Sequence, residues 1–244
     1  MSNKIKEYYD NLKLTQKEIN NNYIVDGIEY PKDTKTDHQR FELFSDNHIN
    51  YMTKLFNLFE VFHNWLEDNN ILYTLYGGNL IGYYWNEKQI LWDDDFDIFL
   101  TNNKGIEFIN NIWNNSNEIA KPIWDECWIY KKITINEHNY LLLKYKLKNI
   151  NWGWFKLLYY ENINKNNKNN KDLGGIDIIF SINNIINNVD LTSINNLLLN
   201  IKNYENVNFG PITVKVLNKD IAYKLNNATY GSKWIIKKHP SLKN

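Results

Sequence analysis

Four aspartates stand within five residues, Asp93, Asp94, Asp95 and Asp97, in a run that continues into Ile98, Phe99 and Leu100. Read as part of a strand over residues 90–100, positions two apart share a face, so Asp95 and Asp97 project together with Phe99, away from Phe96, Ile98 and Leu100. Their charges then lie only ~6–7 Å apart. Paired carboxylates repel, and a mostly apolar strand tolerates them when a cation compensates; an all-oxygen carboxylate set suits Mg²⁺ or Mn²⁺, which share substrate phosphates. Asp177, between Ile176 and Ile178, offers a third carboxylate from another apolar strand. Three acids can hold two ions that clamp the attacking and leaving oxygens of an in-line displacement, which makes Asp95, Asp97 and Asp177 the candidate catalytic and metal-binding residues. Asp93 shares their parity at the edge of the preceding turn, where a metal ligand, a base and a structural role all stay open. Asp94 points to the other face.

A cluster of acids is more often a solvated turn than a site. The apolar neighbours Trp92, Phe96, Ile98, Phe99 and Leu100 favour the buried, functional reading, because charged groups are rare on a strand of that kind. Upstream, Gly77-Gly78-Asn79 falls between a β-rich run, Ile71 to Tyr76, and a helical segment, Leu80 to Trp85. Absent side chains let a phosphate approach the N–H groups at a helix's positive end, so Gly77, Gly78 and Asn79 are candidate donor-phosphate ligands, with Lys88 as a nearby cation.

Strand, Gly-Gly loop, helix and acid-bearing strand is the order of the nucleotidyltransferase signature, and residues 73–100, YTLYGGNLIGYYWNEKQILWDDDFDIFL, resemble the LicD family more specifically. Asp177-Ile178-Ile179-Phe180 is similar to that family's later acid strand, and Tyr230-Gly231-Ser232-Lys233-Trp234 to its C-terminal element. The sequence departs from the family pattern at Asn79, Trp85 and Leu91; Trp85 replaces an arginine, for which Lys88, Lys144, Lys146 or Lys156 is a substitute cation. The resemblance implies metal-dependent transfer of a phospho-alcohol, typically phosphocholine, from a CDP-alcohol or other nucleotide donor to a glycan or glycoprotein hydroxyl, with Asp177 as general base. Fukutin-related relatives move ribitol phosphate. Nucleotidyl transfer to an acceptor, and a non-catalytic nucleotide- or glycan-binding relic, remain alternatives.

The elements that must position these residues read as one α+β domain, a nucleotidyltransferase-type mixed sheet flanked by helices, over residues 45–244. Residues 1–44 are polar, weakly periodic and read as an extension wrapped on that domain. Ser45 is a plausible N-cap for an amphipathic helix reaching Asn69. Residues 106–119 and 191–201 read as helices, 124–160 as aromatic-rich strands, 212–217 as a strand and 219–230 as a last helix. The Asn/Lys-rich stretch 161–171 reads as a flexible loop. Trp124, Trp128, Tyr130, Trp152 and Trp154 either pack as core or cage a quaternary ammonium.

The 244 residues carry 28 basic and 28 acidic side chains, so no global field draws the chain to nucleic acid or an anionic membrane. Arg40 is the single arginine and Cys127 the single cysteine, leaving no disulfide and no zinc-site spacing. No apolar run approaches the ~20 residues of a membrane span; the expectation is a soluble, cytoplasmic protein.

Overall fold

The computed structural model describes residues 2–20, 22–25, 27–31, 33–35, 40–91, 93–119, 128–146, 152–160, 175–181, 185–186 and 189–232. The 161–171 stretch, Trp92, Trp124, Cys127 and Trp234 lie outside the described residues. Regular structure begins earlier than the sequence reading expects. Ile5, Tyr9 and Leu12 recur at helical spacing and form the buried face of α1 (Ser2–Thr15), where Tyr9 packs edge-on to Phe56 with ring centres 6.2 Å apart. Behind it run a three-stranded antiparallel sheet, β1 (Lys17–Ile19), β2 (Asn22–Val25) and β3 (Ile28–Pro31), and a hairpin of β4 (Asp33–Lys35) and β5 (Arg40–Glu42). The weak periodicity of 1–44 reflects short elements rather than their absence.

Helix α2 (Asp46–Asp68) follows the sequence reading: Ser45 caps it by accepting from His48 N at 3.2 Å, and the helix ends at Asn69. Its apolar stripe, including Phe56, Phe59 and Phe62, is fully buried. Next come β6 (Tyr73–Leu75), α3 (Gly77–Asn86) and β7 (Phe96–Leu100). The glycine pair is thus the first turn of α3 rather than a loop before it, and the acid strand is shorter than 90–100, leaving Asp93 and Asp95 on the irregular approach to it. Helix α4 (Asn103–Asn115) starts three residues before the expected 106, because Asn102 caps it by accepting from Gly105 N at 2.9 Å.

Helix α4 ends at Asn115, short of the expected 119, and β8 (Asn117–Glu118) takes its last residues; the aromatic-rich region supplies β9 (Trp128–Ile135), β10 (His138–Tyr145) and β11 (Trp152–Tyr159), followed by β12 (Ile176–Ser181). These complete a seven-stranded sheet ordered β6-β7-β12-β11-β10-β9-β8. Only β7 and β12 pair in parallel among the described residues, so the sheet is mixed and the class is α+β, as expected. A small hairpin, β13 (Ile185–Ile186) and β14 (Val189–Asp190), leads to α5 (Asn195–Leu199), which is shorter than the expected 191–201 because a 3₁₀ turn takes over at Ile201–Asn203. A hairpin of β15 (Tyr204–Phe209) and β16 (Ile212–Leu217) docks on β6, where Lys215 N donates to the Tyr73 hydroxyl at 3.0 Å and Leu217 N to Thr74 Oγ1 at 3.1 Å. Helix α6 (Lys219–Tyr230) packs beside α3, with Tyr84 and Tyr223 rings 5.9 Å apart.

The main core fills one face of the large sheet. Phe96 stacks on Phe59 of α2 at 4.1 Å, and Phe155 meets Trp113 of α4 edge-on at 5.6 Å. Ile98, Ile176, Ile178 and Leu157 are completely buried on the same side. Alternation sends the intervening residues to the opposite face.

Candidate active site

Strand register brings the acids together. Asp97 of β7 lies opposite Asp177 of β12, and Asp177 lies opposite Lys156 of β11, so three adjacent strands present one row of charged side chains. Asp95, two residues before Asp97, joins them: one oxygen from each of Asp95, Asp97 and Asp177 falls within 4.8 Å of the others. Lys156 Nζ stands 3.2 Å from Asp177 Oδ2 and 3.8 Å from Asp95 Oδ2. The Trp154 indole N–H donates to the other Asp177 oxygen at 2.9 Å.

The segment carrying the acids has little regular secondary structure of its own and is held by side chains. Asn79 is completely buried; its amide donates to Gln89 Oε1 at 2.6 Å, and its carbonyl oxygen accepts from Asp97 N. Gln89, 2% exposed, donates in turn to the Asp95 carbonyl at 3.0 Å. The Tyr51 hydroxyl donates to the Asp94 carbonyl, and Tyr76 N to the Asp97 carbonyl at 2.9 Å. The Asn79 side chain thus braces the acid strand.

The two glycines have a related purpose. Gly77 adopts φ +57°, and a Cβ there would overlap the Asp97 carboxylate. A Cβ on Gly78 would come within 2.5 Å of Asp93 Oδ2. Missing side chains at the start of α3 thus admit two carboxylates of the protein itself, close to the helix's positive end. Asp93 belongs to this second contact, beside Asn79 Nδ2 at 3.3 Å, and is not one of the three acids whose oxygens converge.

Burial is the largest influence on the carboxyl groups. It pushes Asp95 up to about 7, with Asp177 adding to the shift and Lys156 opposing it. Burial, reinforced by neighbouring acids, lifts Asp93 and Asp97 well above the carboxylate range. Burial alone would lower the Lys156 ammonium; attraction to Asp177 and Asp95 outweighs it and raises the net value. The acids therefore resist ionising together unless a cation compensates them, and their converging hard oxygen donors fit Mg²⁺ or Mn²⁺. This group can hold a metal ion.

Lys88 lies in the bend after α3, where burial lowers its pKa. The lysine that the structure puts among the acids is Lys156. Trp128, Tyr145 and Trp154 form a cluster with ring centres 4.9–5.3 Å apart beside Asp177. Tyr130, grouped with Trp128 by the sequence reading, is instead buried among Leu141, Leu143 and Leu158. Tyr230 of α6 reaches the site as well: burial, then the charges of Tyr76, Asp97 and Asp93, raise its phenol. Gln89, Tyr51 and Tyr145 carried no signal in the sequence, because their roles depend on where a distant backbone lies.

The profile of the LicD/FKTN/FKRP nucleotidyltransferase domain matches residues 70–185. These residues belong to the LicD family. The match contains β6, the Gly77-Gly78 turn, the acid run and Asp177, so the site described above is the LicD domain's own, and the chain is a transferase of the phospho-alcohol or nucleotidyl type. No curated protein matches the chain. No helix among the described residues is long and apolar enough to cross a membrane.

Proposed function

We propose that this LicD domain transfers a phospho-alcohol, such as phosphocholine, from a CDP-activated donor to a hydroxyl of a glycan or glycoprotein, using Mg²⁺ or Mn²⁺ held by Asp95, Asp97 and Asp177. A cytoplasmic location is part of this reading, since a single cysteine offers no disulfide to an oxidising compartment. The observation that carries the proposal is the meeting of three carboxylates, from two parallel strands and the approach to one of them, beside the start of α3 and inside the family match.

Bound metal would neutralise the donor diphosphate and align it for displacement. The first-turn N–H groups of Gly77, Gly78 and Asn79 have no intrahelical acceptor and face incoming phosphate; Lys88 stays a second candidate for that contact. Asp177, steered by Trp154 and Lys156, takes the proton of the acceptor hydroxyl. The hydroxyl oxygen bonds to the phosphorus that bears the alcohol, the bond from that phosphorus to CMP breaks, and CMP departs.

The test is incubation of purified protein with Mn²⁺ or Mg²⁺, an acceptor glycan and a panel of CDP-alcohols and nucleoside triphosphates, with CMP and diphosphate measured separately. Metal-dependent CMP release, lost in Asp95→Ala, supports the proposal. Diphosphate release from a triphosphate assigns nucleotidyl transfer instead, and release unaffected by Asp95→Ala rules out catalysis at this site.

A further inference from the structure

Lys156 has an environment that a solubilising lysine does not have. It is 9% exposed on the middle of a sheet, and it is closely packed: a Cβ on Gly175 would collide with Leu158 and the Leu157 carbonyl and come within 3.2 Å of Lys156 Cε. Its ammonium bridges Asp177 and Asp95, two of the three acids that converge. Both oxygens of Asp177 already have donors, Oδ1 from Trp154 and Oδ2 from Lys156. A pair of metal ions about 3.5–4 Å apart needs acids that serve both ions, and here the place between Asp177 and Asp95 is taken by an ammonium tethered to β11. Asp95 and Asp97, with the lone pairs that Asp177 has left, remain for one metal. The three converging carboxylates and the one ammonium sum to −2, which a single divalent ion balances, while Asp93, outside that group, sits against Gly78 and the Asn79 amide at the start of α3.

We propose that Lys156 is a built-in substitute for a second metal ion, so that the donor-free protein takes up one divalent cation, among Asp95, Asp97 and Asp177, beside a fixed ammonium. This rests on the metal reading of the site given above. A lysine here has consequences that a free ion does not: it cannot be removed by a chelator, it keeps Asp95 and Asp177 a set distance apart, and it stands ready as a point charge for a donor phosphate oxygen.

The experiment counts Mn²⁺ bound by donor-free protein, from the loss of the free-ion electron paramagnetic resonance signal during titration. The expected result is one ion per chain for the wild type and for Lys156→Arg, and two for Lys156→Met, whose fold is checked by circular dichroism. Lys156→Gln is counted in its place if the methionine variant does not fold. Two ions in the wild type, or one in a folded variant lacking the ammonium, overturns the proposal while leaving the metal site standing. No binding by wild type overturns the metal reading itself.

Discussion

The two faces of the large sheet are made by the same strands and do opposite things. On the helix-covered face, Phe96, Ile98, Ile176, Ile178 and Leu157 are apolar and fully enclosed, so each contributes stability through area removed from water. On the other face the residues between them, Asp97, Asp177 and Lys156, bury charge, which costs stability unless each group finds a partner. Dense packing on one side holds the strands at a fixed spacing and register, and that spacing sets the distances among the acids on the other. The core face supplies rigidity, and the site face uses it to hold a strained set of charges.

Substitutions on the two faces should therefore separate activity from stability. Asp97→Asn is expected to lower turnover by on the order of 10²–10³, and to raise the melting temperature of metal-free protein because a buried charge is removed; a fall in melting temperature would contradict this account of the site face. Ile178→Ala, one position along β12 from Asp177, should cost about 2–5 kcal/mol in denaturant unfolding, while activity per folded molecule stays within a few-fold of wild type. Asn79→Ala lies between these extremes. Losing its bonds to Gln89 and Asp97 should cut activity roughly 10–100-fold and stability by about 1–3 kcal/mol, with Mn²⁺ affinity falling in the same variant when measured by titration.

The smallest net effect expected is on pH dependence, where two contributions of opposite sign share one pH window. Asp95 loses its proton near 3.8 in the unfolded chain and at about 7 when folded, so its contribution is present below about 4 and lost as pH rises toward 7. Buried His48 is lowered from 6.5 to about 4; its contribution is present above 6.5 and lost as pH falls toward 4. The two slopes oppose each other over the same window, so melting curves of metal-free protein read their sum, and Asp95→Asn should make stability rise more steeply with pH between about 4 and 7 by removing the declining contribution and leaving that of His48. A variant profile no steeper than wild type would remove Asp95 as a titrating group.

Much of this was legible before any coordinates. Parity and apolar neighbours single out Asp95, Asp97 and Asp177, although Asp95 precedes the strand itself, which begins at Phe96. Ser45 as a cap, the strand at 212–217 and the helix at 219–230 follow from local signals and stand as read. What escaped depends on contacts far apart in the chain. Lys156 was one of several lysines until β11 was paired with β12, and the bracing role of Asn79 depends on the bond from its amide to Gln89. Helix α1 was missed for a simpler reason: Ile5, Tyr9 and Leu12 are its only buried apolar positions, a stripe too thin to stand out among polar residues.

The interlock between Gly77 and Asp97 has a practical consequence for protein engineering. Because the carboxylate fills the space where a side chain would project, the glycine turn and the acid strand act as one part with two pieces, and neither can be transplanted alone. A designer moving this centre into another scaffold must carry residues 76–97 as a single cassette, together with the strands that bring Asp177 and Lys156, and a library that varies either end of the cassette without its counterpart will return few working members.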